Sequence, residues 1–220
     1  MSDAPLGGPA RRPAPRGRRL AAVVDGTTWT HIPARWLVRP LVGTGVTASH
    51  VTWMRIATGV AACAALALGT PAGAWWGGSL WLLSALLDRA DGDLARLAGT
   101  ASEAGRRLDF HADAVVNPLF FLAAGFASRG SWLGSWAIPL GILSCVSVFA
   151  CVWWSELLER RQGGTARAYS GRWGFDPDDA LYLLGPLAWL GWLAPLLVGA
   201  SVGATAVMVL TGLRLYRAPR

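Results

Sequence analysis

The chain has 220 residues, of which 53% are apolar and only 15% charged, with a mean hydropathy of +0.39. Soluble domains carry about 25% charged residues, so this composition excludes a water-soluble globular protein and a disordered chain, and the length excludes several domains. The net charge of +7 rests entirely on arginine, since no lysine occurs. Whether it marks nucleic acid or membrane topology depends on where those arginines fall. The 13 tryptophans suit a protein anchored at two membrane interfaces. Cys63, Cys145 and Cys151 all lie in apolar runs without CxxC spacing and read as packing thiols rather than disulfide or zinc ligands.

Residues 1–28 form a basic tail, rich in proline, glycine and arginine as far as Arg19, and its composition predicts disorder. It is not a signal peptide, because the apolar run Leu20–Val24 ends at Asp25. Arg11, Arg12, Arg16, Arg18 and Arg19 read as solvated charges that fix orientation. No aromatic interleaving accompanies them, so nucleic acid is not an expected partner. Residues 29–220 then form a membrane domain. It opens with an interfacial helix within 29–45, where Trp29, Ile32, Trp36, Leu37 and Leu41 share a face and Pro33 and Pro40 limit its length.

Six apolar segments follow. Val51–Thr70, at about 1.5 Å per residue, matches a bilayer core of about 30 Å. The others are centred on 75–87, 108–128, 132–154, 180–191 and 193–213. The short second and fifth are expected to continue as longer helices into the cytoplasmic flank. Arginines crowd the N-terminal tail, Arg89 to Arg107, Arg160 to Arg172 and the C-terminus, whereas Arg129 stands alone in the opposite connections. The positive-inside rule then predicts an all-α integral membrane protein of the cell membrane. It has six transmembrane helices, both termini cytoplasmic and a site facing the cytoplasm.

Five aspartates fall within residues 88–113, DRADGDLARLAGTASEAGRRLDFHAD. Asp88 and Asp91 are three apart at the end of the second segment, and Asp109 and Asp113 four apart at the start of the third. On helices both spacings share a face, so two antiparallel neighbours would aim four carboxylates into one pocket. Carboxylates at membrane depth are costly and usually functional. Their mutual repulsion calls for protons or cations between them, and all-oxygen donors select hard ions such as Mg²⁺, Mn²⁺ or Ca²⁺. A two-metal site suits in-line displacement at phosphorus. Gly92 permits close backbone approach, Arg96 can clamp a phosphate, and Gly105 leaves room beside the acidic face.

The pattern D-x2-D-G-x2-A-R-x8-G-x3-D-x3-D, met by Asp88, Asp91, Gly92, Ala95, Arg96, Gly105, Asp109 and Asp113, resembles the signature of the CDP-alcohol phosphotransferases. The resemblance implies that Asp88, Asp91, Asp109 and Asp113 bind two divalent cations, Mg²⁺ or Mn²⁺, and that Asp113 is also the base for the acceptor hydroxyl. It implies that Gly92, Ala95 and Arg96 hold the cytidine diphosphate, and that Ser102 and Thr52 contact the nucleotide. The first helix departs from the family where Ala48 and Ser49 replace the usual proline and asparagine, while Thr52 and Arg55 fit. The activity implied is transfer of a substituted phosphate in phospholipid biosynthesis. The donor implied is CDP-diacylglycerol and the acceptor a polyol or polyol phosphate such as glycerol 3-phosphate, inositol 1-phosphate, inositol or serine. The resemblance also implies release of CMP and a homodimeric enzyme.

The alternatives are the same chemistry with a soluble CDP-alcohol, and a divalent-cation transporter. The transporter would need polar groups through the bilayer, and the third segment offers little beyond Asn117. Among the other polar residues, Asp93 reads as a solvated loop charge and His111 as a packing or hydrogen-bonding histidine. Asp176, Asp178 and Asp179 read as caps of the fifth helix. Arg160, Arg161, Arg167 and Arg172 read first as topology signals and second as ligands for an acceptor phosphate.

Overall fold

The structure, a computed structural model, describes residues 31–161 and 177–218. The basic tail, Trp29, Arg167, Arg172 and Asp176 lie outside the described residues. Those described are helical and turn segments with no strand. Helix α1 is His31–Val38, continued by a 3-10 turn at Arg39–Leu41. Helix α2 is Ala48–Ala67, α3 Pro71–Ala98, α4 Glu103–Ala127 and α5 Ala137–Arg161. After a 3-10 stretch at Pro177–Leu183 come the short α6, Leu184–Trp189, and then α7, Leu193–Arg217.

Local chemistry sets the boundaries. Thr47 caps α2 by accepting from the His50 amide at 3.3 Å, while the His50 ring accepts from the Thr47 amide at 3.2 Å. That is a capping box in which histidine replaces the usual acid. Thr70 caps α3 ahead of Pro71, and Gly99, at φ 66°, ends it in the left-handed region that favours glycine. Ser102 caps α4 by accepting from the Gly105 amide at 3.1 Å. The second apolar segment therefore does extend into a 28-residue helix. The fifth does not become one long helix, being 3-10 as far as Leu183 and α-helical only to Trp189.

Helix α2 packs against both α3 and α4, and the Trp81 ring of α3 reaches Phe120 of α4 at 4.4 Å. α1 and α6 lie on α3, and α5 and α7 complete the far side next to α4. Leu66, Trp81, Phe120 and Leu197 lie in the main core, and a smaller one joins α1 to α3 through Ala34, Val38, Leu87 and Leu94. The cysteines are free, with Cys63 buried. Apolar side chains also face outward along the helices, among them Val146, Val202 and Leu210, as lipid contact requires. Trp75, Trp76, Trp132, Trp136 and Trp192 are exposed at the helix ends away from the aspartates, and Trp75 stacks on Trp189 at 5.4 Å. Exposed tryptophans so placed suit the interfacial aromatic belt expected from the sequence.

Three helical stretches among the described residues are long and apolar enough to cross a membrane: Glu103–Gly130, Gly134–Arg161 and Leu193–Arg217. By contrast α2 carries His50 and Arg55, α3 ends in the acidic run, and α6 is too short.

The α4–α5 contact is backbone on backbone. A Cβ on Gly141 would stand 2.9 Å from the Gly125 Cα and 3.0 Å from the Phe121 carbonyl oxygen. Gly141→Leu is expected to cost about 1–3 kcal/mol through overpacking, read as a lower unfolding midpoint by circular dichroism in detergent. Gly199→Ala, where a Cβ meets nothing within 4 Å, leaves the midpoint unchanged or raised.

Candidate active site

The turn at residues 99–102 brings the end of α3 beside the start of α4. Asp88, Asp109 and Asp113 each present a carboxylate oxygen within 4.8 Å of the other two. Asp91 sits apart from that cluster. It is buried, and its Oδ2 accepts from the Thr52 hydroxyl at 2.7 Å. Thr52 therefore meets the acidic motif directly.

At the centre of the cluster is Arg55 of α2, only 2% exposed. Its Nη1 lies 2.6 Å from Asp88 Oδ1 and 2.7 Å from Asp109 Oδ1, and its Nη2 donates to Asp113 Oδ1. Asn117 adds a hydrogen bond to the same Asp113 oxygen at 2.9 Å. The Ser84 hydroxyl donates to the Arg55 carbonyl at 3.0 Å, tying α3 to the same turn of α2. Three carboxylates face one guanidinium, so the ionised cluster keeps an excess of two negative charges (three minus one). That excess and the all-oxygen donor set fit a hard divalent cation.

Beside the cluster opens a cavity of about 1040 Å³, ample for a nucleotide. Gly92, Ala95, Arg96, Ser102 and Thr52 all line it, together with Asp91 and Asp109. Ala48 and Ser49, where the first helix departs from the family pattern, line it as well. Asp88 instead borders a much smaller recess with Arg55, Trp81, Ser84, Asn117 and Tyr182. The acidic cluster thus separates the large cavity from the helix interior.

Several expectations about other polar residues change. Asp93 is not a solvated loop charge. It lies within α3, is 1% exposed, and is paired with His31, Arg35 and Arg96. Asp179 lies in the first turn of the 3-10 stretch that leads into α6, buried and 3.3 Å from Arg89. The Asp178 side chain lies outside the described residues. His111 does serve as a hydrogen-bonding residue, with its Nδ1 2.6 Å from the Arg107 carbonyl oxygen. Arg160 pairs with Glu156 at 2.7 Å, and Arg161 donates to the Leu215 carbonyl at 3.2 Å.

Arg55, Asn117 and Asp93 are the polar residues whose importance sequence reasoning underrates. For Arg55 a signal existed, because an arginine within an apolar run has to find anions.

The sequence model of the CDP-alcohol phosphatidyltransferase family matches residues 45–213. The chain belongs to that family. It is accordingly a transferase of substituted phosphate groups in phospholipid biosynthesis, from a membrane-embedded family that uses divalent cations. A similar solved structure is the Mycobacterium tuberculosis phosphatidylinositol phosphate synthase PgsA1 with CDP-DAG bound. It is 18% identical, with a TM-score of 0.58 over 86% of this chain and 91% of that one. At that identity the likeness establishes the shared fold. No curated protein matches the chain.

Removing a buried charge from a paired cluster typically costs about 3–5 kcal/mol. Arg55→Gln is expected to lower the unfolding midpoint accordingly in detergent. Millimolar Mn²⁺ recovers part of the loss, because a bound cation restores positive charge to the folded state. Thermal melts with and without Mn²⁺ check both effects.

Proposed function

We propose that this phosphotransferase moves a phosphatidyl group from CDP-diacylglycerol to the hydroxyl of a polyol or polyol phosphate, releasing CMP. The observation that carries the reading is the cluster of Asp88, Asp109 and Asp113 beside a cavity lined by Gly92, Ala95, Arg96, Ser102 and Thr52. A related fold solved with CDP-DAG bound supports the lipid donor. So do the outward apolar helix faces, which keep this cavity at a membrane.

In this reading Asp88, Asp91, Asp109 and Asp113 hold two divalent cations, Mg²⁺ or Mn²⁺. Such ions, when bound, offset charge on the diphosphate and on the departing CMP. Thr52 fixes Asp91 through its hydroxyl. Gly92, Ala95, Arg96 and Ser102 receive the cytidine diphosphate, with the Arg96 guanidinium suited to its charge. Asp113 removes the proton of the acceptor hydroxyl. Its Oδ1 is engaged by Arg55 and Asn117, which directs Oδ2 to that proton. The acceptor oxygen then bonds to the lipid-bearing phosphorus as the bridging P–O bond breaks, and the electron pair leaves with CMP.

The arginine distribution supports six spans, both termini in the cytoplasm and the cavity facing it. A homodimer is the assembly proposed.

The test is CMP release from the protein in liposomes with Mn²⁺ or Mg²⁺, CDP-diacylglycerol and a pool of polyol acceptors, with soluble CDP-alcohols in a parallel arm. Acceptor-dependent CMP is expected, abolished by EDTA and reduced about 10²- to 10⁴-fold in Asp113→Asn, the range for losing a general base. Undiminished release by Asp113→Asn would remove the assignment of the base. Release only in the parallel arm would replace the lipid donor.

A further inference from the structure

Helix α1 is built with its charges facing inward. Ile32, Trp36 and Leu37 are exposed, while Ala34 and Val38 are fully buried against α3. His31 and Arg35 also turn toward α3, where they meet Asp93. The His31 Nδ1–H donates to Asp93 Oδ2 at 3.0 Å, and Arg35 Nε lies 3.6 Å from the same oxygen. The other oxygen, Oδ1, accepts from Arg96 Nη2 at 2.7 Å.

Asp93 therefore joins two things that are distant in sequence: a helix whose outer face is apolar, and an arginine on the wall of the large cavity. Arg96 itself has a side chain that is 51% exposed, so only one edge of the guanidinium is committed to Asp93. Its position is narrowly defined. A Cβ on Gly92 would come within 3.3 Å of Arg96 Nη1, so the guanidinium lies across Gly92. A long arginine held at one edge loses less rotamer freedom on meeting a ligand than one that swings in solvent.

We propose that Asp93 is a positioning residue that couples the seating of α1 to the placement of Arg96, so that the lipid-facing helix sets the affinity of the cavity for the CDP-linked donor. This rests on the reading of Arg96 as a donor ligand. Asp93 touches neither donor nor acceptor. It acts through Arg96 on one side and receives the position of α1 on the other. Because the link bears on where the diphosphate is held, its loss should appear in KM for the donor and leave kcat nearly untouched.

The experiment measures kcat and KM for CDP-diacylglycerol in mixed micelles, alongside thermal midpoints. The variants are Arg96→Ala, Asp93→Asn, His31→Gln with Arg35→Gln, and Asp93→Asn combined with that pair. Arg96→Ala is expected to raise KM, and if it does not, the reading of Arg96 fails. With that control positive, Asp93→Asn is expected to raise KM about tenfold, the scale of one charge-assisted hydrogen bond, with kcat within about threefold of wild type. The α1 pair is expected to raise KM in the same way and to add nothing in the Asp93→Asn background.

A wild-type donor KM in Asp93→Asn, with only the melting midpoint lowered, would make Asp93 a structural contact and overturn the inference. Effects of the α1 pair and Asp93→Asn that multiply in full would overturn the coupling. Should Asp93→Asn fail to fold, as judged by size exclusion, the α1 pair carries the test alone. A raised KM at constant kcat then upholds the coupling, and an unchanged KM rejects it.

Discussion

The burial of one guanidinium among three carboxylates is the constraint around which this molecule is arranged. Arg55 sits in the middle of α2, and Asp88, Asp109 and Asp113 come to it from α3 and α4. The buried guanidinium would be costly without these carboxylates, two of which, Asp109 and Asp113, open to solvent. Together they fix the mutual rotation of three helices, because a slip of one residue would turn a carboxylate away from its partner. The same contact leaves the cluster net negative, which prepares it for cations. Stability and chemistry thus draw on the same set of atoms.

The α3–α4 turn makes that arrangement possible. Gly99 ends one helix in the left-handed region and Ser102 caps the next, with two residues between them. A longer connection would let the helices separate and would loosen the alignment of Asp88 with Asp109. Ser102 is also on the cavity wall, so the hydroxyl that satisfies the first turn of α4 stands where a nucleotide is proposed to lie. Pro118 is accommodated inside α4, where neighbouring helices enclose it.

The membrane reverses the usual placement of side chains. Valine and leucine face outward on α5 and α7, while serine and threonine pair between them, as in Ser147 with Thr205 at 3.0 Å. Helix α1 follows the same logic on a small scale, with its tryptophan outward and its histidine and arginine directed to a buried aspartate. A soluble helix of that composition would do the opposite.

Apolar runs, arginine placement and the spacing of the aspartates were enough to read, from the sequence alone, a helical membrane protein and an acidic motif shared by the end of α3 and the start of α4. Those features are local: hydropathy, cap residues and helical periodicity depend on neighbours a few positions away. The sequence did not reveal which residue answers each charge. Arg55 meets Asp113 across 58 positions and His31 meets Asp93 across 62, and no local pattern encodes such pairings. Asp93 looked like a loop charge because two of its three partners, His31 and Arg35, lie on another helix. The fifth segment looked like a long helix because hydropathy does not distinguish a 3-10 stretch from an α-helix. Only packing decided these points, since the partner of a buried charge is chosen by which helices touch, and contact between distant segments is a property of the folded chain.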